Sequence, residues 1–209
     1  MAKPTSLRVI LIRSGSTSWD MCGRVSGSAD HPMCDEGAAA LAEAIRAFEF
    51  GEVSLVLHGP DDASRATGEL VGSLTRAKVK SKDRLGEVGM GLWEGLLPAD
   101  LEDRYPTVYA KWLEDPTAVS VPDGEPVTEA DARLRSAILK GTEKVPNNGT
   151  VVLVLRPIAW ALMRCRLAGE ALTPCWEAAR AAPQLQPVDC DLAALQDAGP
   201  ALERTAARA

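Results

Sequence analysis

The sequence predicts an α/β fold, and three features carry that reading. Short apolar runs of β-branched and aliphatic residues at 7–13, 53–57 and 150–155 have the length of buried strands. Segments with helical spacing lie between them, at 35–48, 63–74 and 126–144. The first run also stops at Arg13 and gives way to Ser14-Gly15-Ser16-Thr17, a polar turn at the carboxyl end of a strand, where open α/β sheets bind ligands. An arginine fork beside a glycine that lets backbone approach closely suits a phosphate-like group.

Taken in order, the polar segment Ser16–Glu36, with Gly23, Gly27, Asp30 and Pro32, is long enough to be a functional loop. A helix starts at Asp35 and runs through Phe48, since 38–47 is rich in strong helix formers with Leu41 and Ile45 on one face. After the strand 53–57, Gly59-Pro60-Asp61-Asp62 forms a break, and Asp61 or Asp62 caps the helix 63–74. The basic residues of 76–82 read as a solvated turn. Residues 86–95 hold too many glycines for a regular element and form a shaped loop. Short helices follow at 98–104 and 106–114, then loop at 119–126 and a helix from Pro126, whose ring suits a first turn. Asn147-Asn148-Gly149 turns the chain into the strand 150–155; Arg156-Pro157 ends it, and helical spacing resumes over 158–167. Val188–Leu192 reads as an outer strand, and the alanine-rich end carries no assignment.

Composition bounds the function. The 209 residues, 46% hydrophobic and 25% charged, are those of a soluble globular protein of one domain, 1–209. A net charge of −6 argues against nucleic-acid or membrane-surface binding, so any basic site is a local cluster in an acidic body. No signal-peptide core or membrane-length run occurs, and cytoplasmic residence is expected. The cysteines at 22, 34, 165, 175 and 190 include no Cys-x-x-Cys pair, are expected to be reduced, and lack the five-residue spacing to arginine of a cysteine phosphatase loop. With no metal-ligand spacing and no Walker loop, neither a metal nor another cofactor is expected.

Read together, Arg13-Ser14-Gly15, Gly23-Arg24, Gly27, Asp30-His31-Pro32, Gly37, Arg65-Ala66, Leu85-x-Glu87, Gly91-x-Trp93-Glu94-Gly95, Gly124-Glu125 and the strand before Arg156 form a linked set. The set resembles the histidine phosphatase superfamily, of the phosphoglycerate mutase type, over about 7–168, with 169–209 unassigned. The resemblance implies a three-layer sandwich, a mainly parallel central sheet flanked by helices with a pocket above the strand ends. It also implies a nucleophilic histidine in an Arg-His-Gly motif, where this chain has Ser14. A second histidine, in a His-Gly pair, falls on Arg156 and its glycine on Pro157. Arg13 and Arg65 match the family's two pocket arginines, and Glu87 its usual proton donor.

Those departures change the chemistry. Imidazole offers a lone pair at neutral pH, whereas a serine hydroxyl is barely ionised and needs a base or metal. Ser14 is also shorter, so a phosphoryl group seated for histidine lies out of in-line reach. A guanidinium cannot titrate, but it can grip: Arg13, Arg65 and Arg156, with Ser14 as a donor, would bind a phosphorylated metabolite or inorganic anion. Alternatively Arg156 turns inward, pairs with Glu87 and closes the pocket. His31 and His58 are the two histidines that could replace the missing base.

Three functions remain in play. The first is a non-catalytic member, without catalytic residues, that binds an anion as a sensor or as the partner of another protein. The second is an active phosphohydrolase or phosphomutase using Ser14, or His58 through water. The third is a structural subunit. The sequence names neither the ligand nor the oligomeric state.

Overall fold

The computed structural model describes residues 4–170 and 185–196. Its sheet is built from β1 (Ser6–Arg13), β2 (Leu55–His58), β3 (Lys78–Ser81), β4 (Thr150–Leu155) and β5 (Leu185–Asp191), in the spatial order β3-β2-β4-β1-β5. The pairs β1·β4, β2·β4 and β2·β3 are parallel, and β5 joins β1 antiparallel. The mainly parallel sheet agrees with the sequence reading.

Helices cover both faces because the central strands are apolar on both. Leu7, Val9 and Leu11 of β1, with Val151, Leu153 and Leu155 of β4, pack against α6 (Val127–Thr142) and α7 (Pro157–Ala168). On the opposite face Ile10, Ile12, Val152 and Val154 pack against α2 (Asp35–Ala47) and α3 (Asp62–Thr75). This is the alternation expected of strands buried on both sides. The remaining helices are α1 (Ser18–Met21), α4 (Pro98–Arg104), α5 (Pro106–Glu114) and α8 (Leu192–Gln196). None among the described residues is long and apolar enough to cross a membrane.

Local chemistry sets the helix starts. Asp61 caps α3 by accepting from the Ser64 N–H at 2.9 Å, and proline opens α4, α5 and α7. Gly37 lies in the first turn of α2 against the chain leaving β1. A Cβ there would come within 2.2 Å of the Ser16 carbonyl oxygen, so only glycine allows this approach.

One buried ion cluster ties α6 to α7. Asp131, 1% exposed, accepts from Arg166 Nε at 3.0 Å, Arg166 Nη2 at 2.6 Å and Arg135 Nε at 2.8 Å.

Three sequence expectations are corrected. The basic stretch contains the edge strand β3, whose half-exposed Lys-Val-Lys-Ser lacks the apolar run of an interior strand. α1 is a single turn inside the long polar loop. Cys165 is disulfide-bonded, while Cys22 and Cys34 are free. The expected outer strand at 188–192 is β5, which begins three residues earlier; the alanine-rich end lies outside the described residues.

Candidate functional site

In the β1·β4 register Arg13 lies opposite Leu155, so the residues after these strands leave the sheet side by side. The Ser14 N–H donates to the Leu155 carbonyl at 2.8 Å, and the Gly15 N–H to Thr67 Oγ1 of α3 at 3.0 Å. Arg13, Ser14 and Arg156 are thereby buried together, at 5%, 2% and 2% exposure. Among the described residues, Ser14 Oγ and both terminal nitrogens of Arg156 have no hydrogen-bond acceptor.

A carboxylate absent from the sequence reading faces Arg156. Thr17 and Asp20 form a reciprocal capping box on α1: the Asp20 N–H donates to Thr17 Oγ1 at 3.3 Å, and the Thr17 N–H and hydroxyl each donate to Asp20 Oδ2 at 2.8 Å. The Ser26 hydroxyl donates to Oδ1 at 2.8 Å. So oriented, Oδ2 lies 3.5 Å from Arg156 Nη1. Burial acts to raise the Asp20 pKa, but Arg156 and the bonds from Thr17 and Ser26 outweigh it, leaving the carboxyl below its ordinary value. Burial also lowers the pKa of Arg13; Asp20 opposes this, Arg156 adds to it, and Glu87 opposes it.

Glu87 covers the start of α7. Its Oε1 accepts from the N–H groups of Val88 at 2.8 Å and Ala159 at 2.7 Å, and its Oε2 from Ile158 at 2.8 Å. Pro157 has no N–H, so Ile158 and Ala159 supply the first donors of this helix, and the protein's own carboxyl takes them. Burial nevertheless pushes the Glu87 pKa up to about 7, against the lowering influence of Arg156 and the three N–H donors. Arg133 fixes the backbone beneath it, donating to the carbonyls of Arg84 and Gly86 at 2.9 Å and of Glu87 at 2.8 Å while paired with both oxygens of Glu125.

Above these groups lies a cavity of about 420 Å³. Arg13, Asp20, Arg24 and Glu87 form its polar side, and Met90, Trp93, Leu101, Tyr109, Trp112 and Ile158 its apolar wall. Trp93 and Trp112 meet edge to face, with ring centroids 5.8 Å apart.

The expected site residues therefore separate. Arg13 and Glu87 line the cavity; Ser14 and Arg156 are buried outside that lining, with Arg156 against Asp20. Arg65 sits on the first turn of α3, half-exposed and ion-paired with Asp62, and does not line the cavity. The inward pairing of Arg156 goes to Asp20 and not to Glu87, which is engaged by the helix N–H groups. His58 Nδ1 lies 2.6 Å from the Gly59 carbonyl, and the His31 ring rests on Trp19 with centroids 4.3 Å apart. Among the described residues neither histidine lines the cavity, and no group of three or more His, Cys, Asp or Glu could hold a metal ion. Sequence reasoning missed Asp20 and Arg133. The Thr17-x-x-Asp20 spacing of the capping box was a usable signal for the first.

Comparison with known proteins adds context. The family model of the histidine phosphatase superfamily (branch 1) matches residues 9–191. The chain is 24% identical to phosphoserine phosphatase 1 of Hydrogenobacter thermophilus over 170 residues, covering 81% of this chain and 80% of that protein. It is 26% identical to a probable phosphoglycerate mutase of Shigella boydii over 175 residues, covering 83% and 79%. Among solved structures, a mycobacterial glucosyl-3-phosphoglycerate phosphatase in complex with VO3 superposes with a TM-score of 0.70 at 22% identity, covering 81% of this chain and 86% of that one.

Proposed function

This chain belongs to the histidine phosphatase superfamily, and from that membership we propose that it is a non-catalytic member, binding an anion in a regulatory or partner-binding role. The ligand is a small phosphorylated metabolite or an inorganic anion, in a single cytoplasmic domain spanning 1–209. Arg13, Ser14 and Arg156 hold it, with Arg65 able to join only by leaving Asp62.

One observation carries this reading. Next to Arg13, the Ser14 hydroxyl and Arg156 Nη2 are buried donors without a hydrogen-bond acceptor, and Arg156 Nη1 has only its 3.5 Å ion pair with Asp20. A buried donor left unmade costs about 1–3 kcal/mol, which an anion would relieve. Support for inactivity comes from chemistry: a hydroxyl with no base in reach is a poor nucleophile, and a guanidinium cannot exchange a proton.

A second reading, an active phosphohydrolase or phosphomutase, is favoured by Glu87, whose pKa of about 7 suits a proton donor at neutral pH. Calorimetry with inorganic phosphate and 3-phosphoglycerate, beside turnover of p-nitrophenyl phosphate, separates the two. Binding that is lost in Arg13→Ala, without turnover, supports the binding protein. Turnover above that of Ser14→Ala refutes it, and no binding to the wild type leaves a scaffold role.

A further inference from the structure

The cavity is larger and more apolar than a bare anion requires. A phosphate would occupy only the floor of about 420 Å³, leaving the space between Met90, Trp93, Leu101, Tyr109, Trp112 and Ile158 to whatever the anion is attached to. The polar groups beside that space are already committed. Ser26 donates its hydroxyl to Asp20, and Arg24 Nη1 donates to the Gly95 carbonyl at 2.5 Å. A ligand body rich in hydroxyls would enter such a wall with few partners for them, and an unpaired hydroxyl there is unfavourable. The mouth points the same way, since Met21 and Leu113 line it with side chains 58% and 42% exposed. Exposed apolar residues at the rim of an apolar chamber are surface that a bound body would cover.

We propose that the ligand of this site is an anionic group carried on an apolar, ring-sized body, in preference to a bare anion or a polyhydroxylated phosphoester. This rests on the anion-binding reading above. The charge of Arg13, on the polar side of the cavity, holds the anionic head, and the aromatic wall receives the body, where a ring can meet Trp93 or Trp112 face to edge.

The test titrates the full chain with phenylphosphonate, methylphosphonate, inorganic phosphate and 3-phosphoglycerate, none of which needs turnover to be read. Calorimetry gives the affinities, and tryptophan fluorescence reports occupancy beside Trp93 and Trp112. Phenylphosphonate should bind about tenfold or more tightly than methylphosphonate, the return for burying one ring. The rim variants Met21→Ser and Leu113→Ser, exposed enough to leave folding intact, should each reduce that preference by about threefold. Equal binding of the two phosphonates, or tighter binding of 3-phosphoglycerate than of phenylphosphonate, overturns the inference while the anion site stands. Failure of all four to bind overturns the anion site as well.

Discussion

Replacing Glu87 by glutamine tests whether burial or the surrounding donors governs this carboxyl. Its pKa rises from an ordinary value of 4.5 to about 7, although three backbone N–H groups and Arg156 favour the ionised form. A carboxyl whose pKa is higher folded than unfolded binds more protons in the native state. The stability this group contributes is therefore greatest below about pH 4.5, falls as the pH rises, and levels off above about 7. At about 1.4 kcal/mol per pH unit the full loss is about 3 kcal/mol, of which about 2 to 3 kcal/mol falls between pH 5 and pH 8. Glutamine cannot ionise, so Glu87→Gln removes this dependence. It also turns an NH2 toward one of the N–H donors, a pH-independent cost of about 1 kcal/mol. Urea denaturation of both proteins at pH 5, 6, 7 and 8 should show the wild type ahead at pH 5 and losing that margin by pH 8. Parallel profiles refute the reasoning. A wild type that gains on the variant as the pH rises means that the helix N–H groups and Arg156 outweigh burial.

Three further outcomes are expected. Asp131→Ala strips the carboxylate from two arginines at the α6–α7 contact and should cost about 3–5 kcal/mol in urea denaturation; a loss below about 1 kcal/mol would show that the cluster contributes little. Asp20→Asn removes the negative charge facing Arg156 and should tighten inorganic phosphate binding about tenfold by calorimetry, whereas weaker binding would assign Asp20 to holding Arg156 in place. Because its carboxyl sits below the ordinary range, Asp20 stabilises the fold above that range and ceases to as the pH falls through its lowered pKa. The triple variant Ser14→His, Arg156→His, Pro157→Gly should hydrolyse p-nitrophenyl phosphate above the wild-type level; a folded but silent protein would show that other parts of the pocket have drifted.

The sequence revealed what burial and local chemistry control. β1 and β4 are apolar on both faces and end in polar turns, so their type and limits were readable, and with them the placement of Arg13, Ser14 and Arg156 at neighbouring strand ends. β3 escaped because an edge strand keeps charged residues and loses the apolar run. Arg65 shows a different limit. Its position in a motif was legible, but the choice of its guanidinium between the cavity and Asp62 depends on a neighbour three residues away. Arg133 was hidden because its partners are carbonyl oxygens about forty-six to forty-nine residues earlier, and a backbone oxygen leaves no trace in residue identity.

The lysines of β3 also bear on how this molecule behaves in a crowded solution. Among the described residues β3 pairs on one side with β2 and its other margin ends the sheet, which makes it the natural template for a strand from a second molecule. Lys78 and Lys80 stand two residues apart on one face of that margin. A second copy stacking there would bring its own ammonium groups alongside, trading hydration for repulsion. Four residues offer too little backbone pairing to offset that, so this margin should not recruit a second copy at concentrations where a longer, uncharged border would seed fibres.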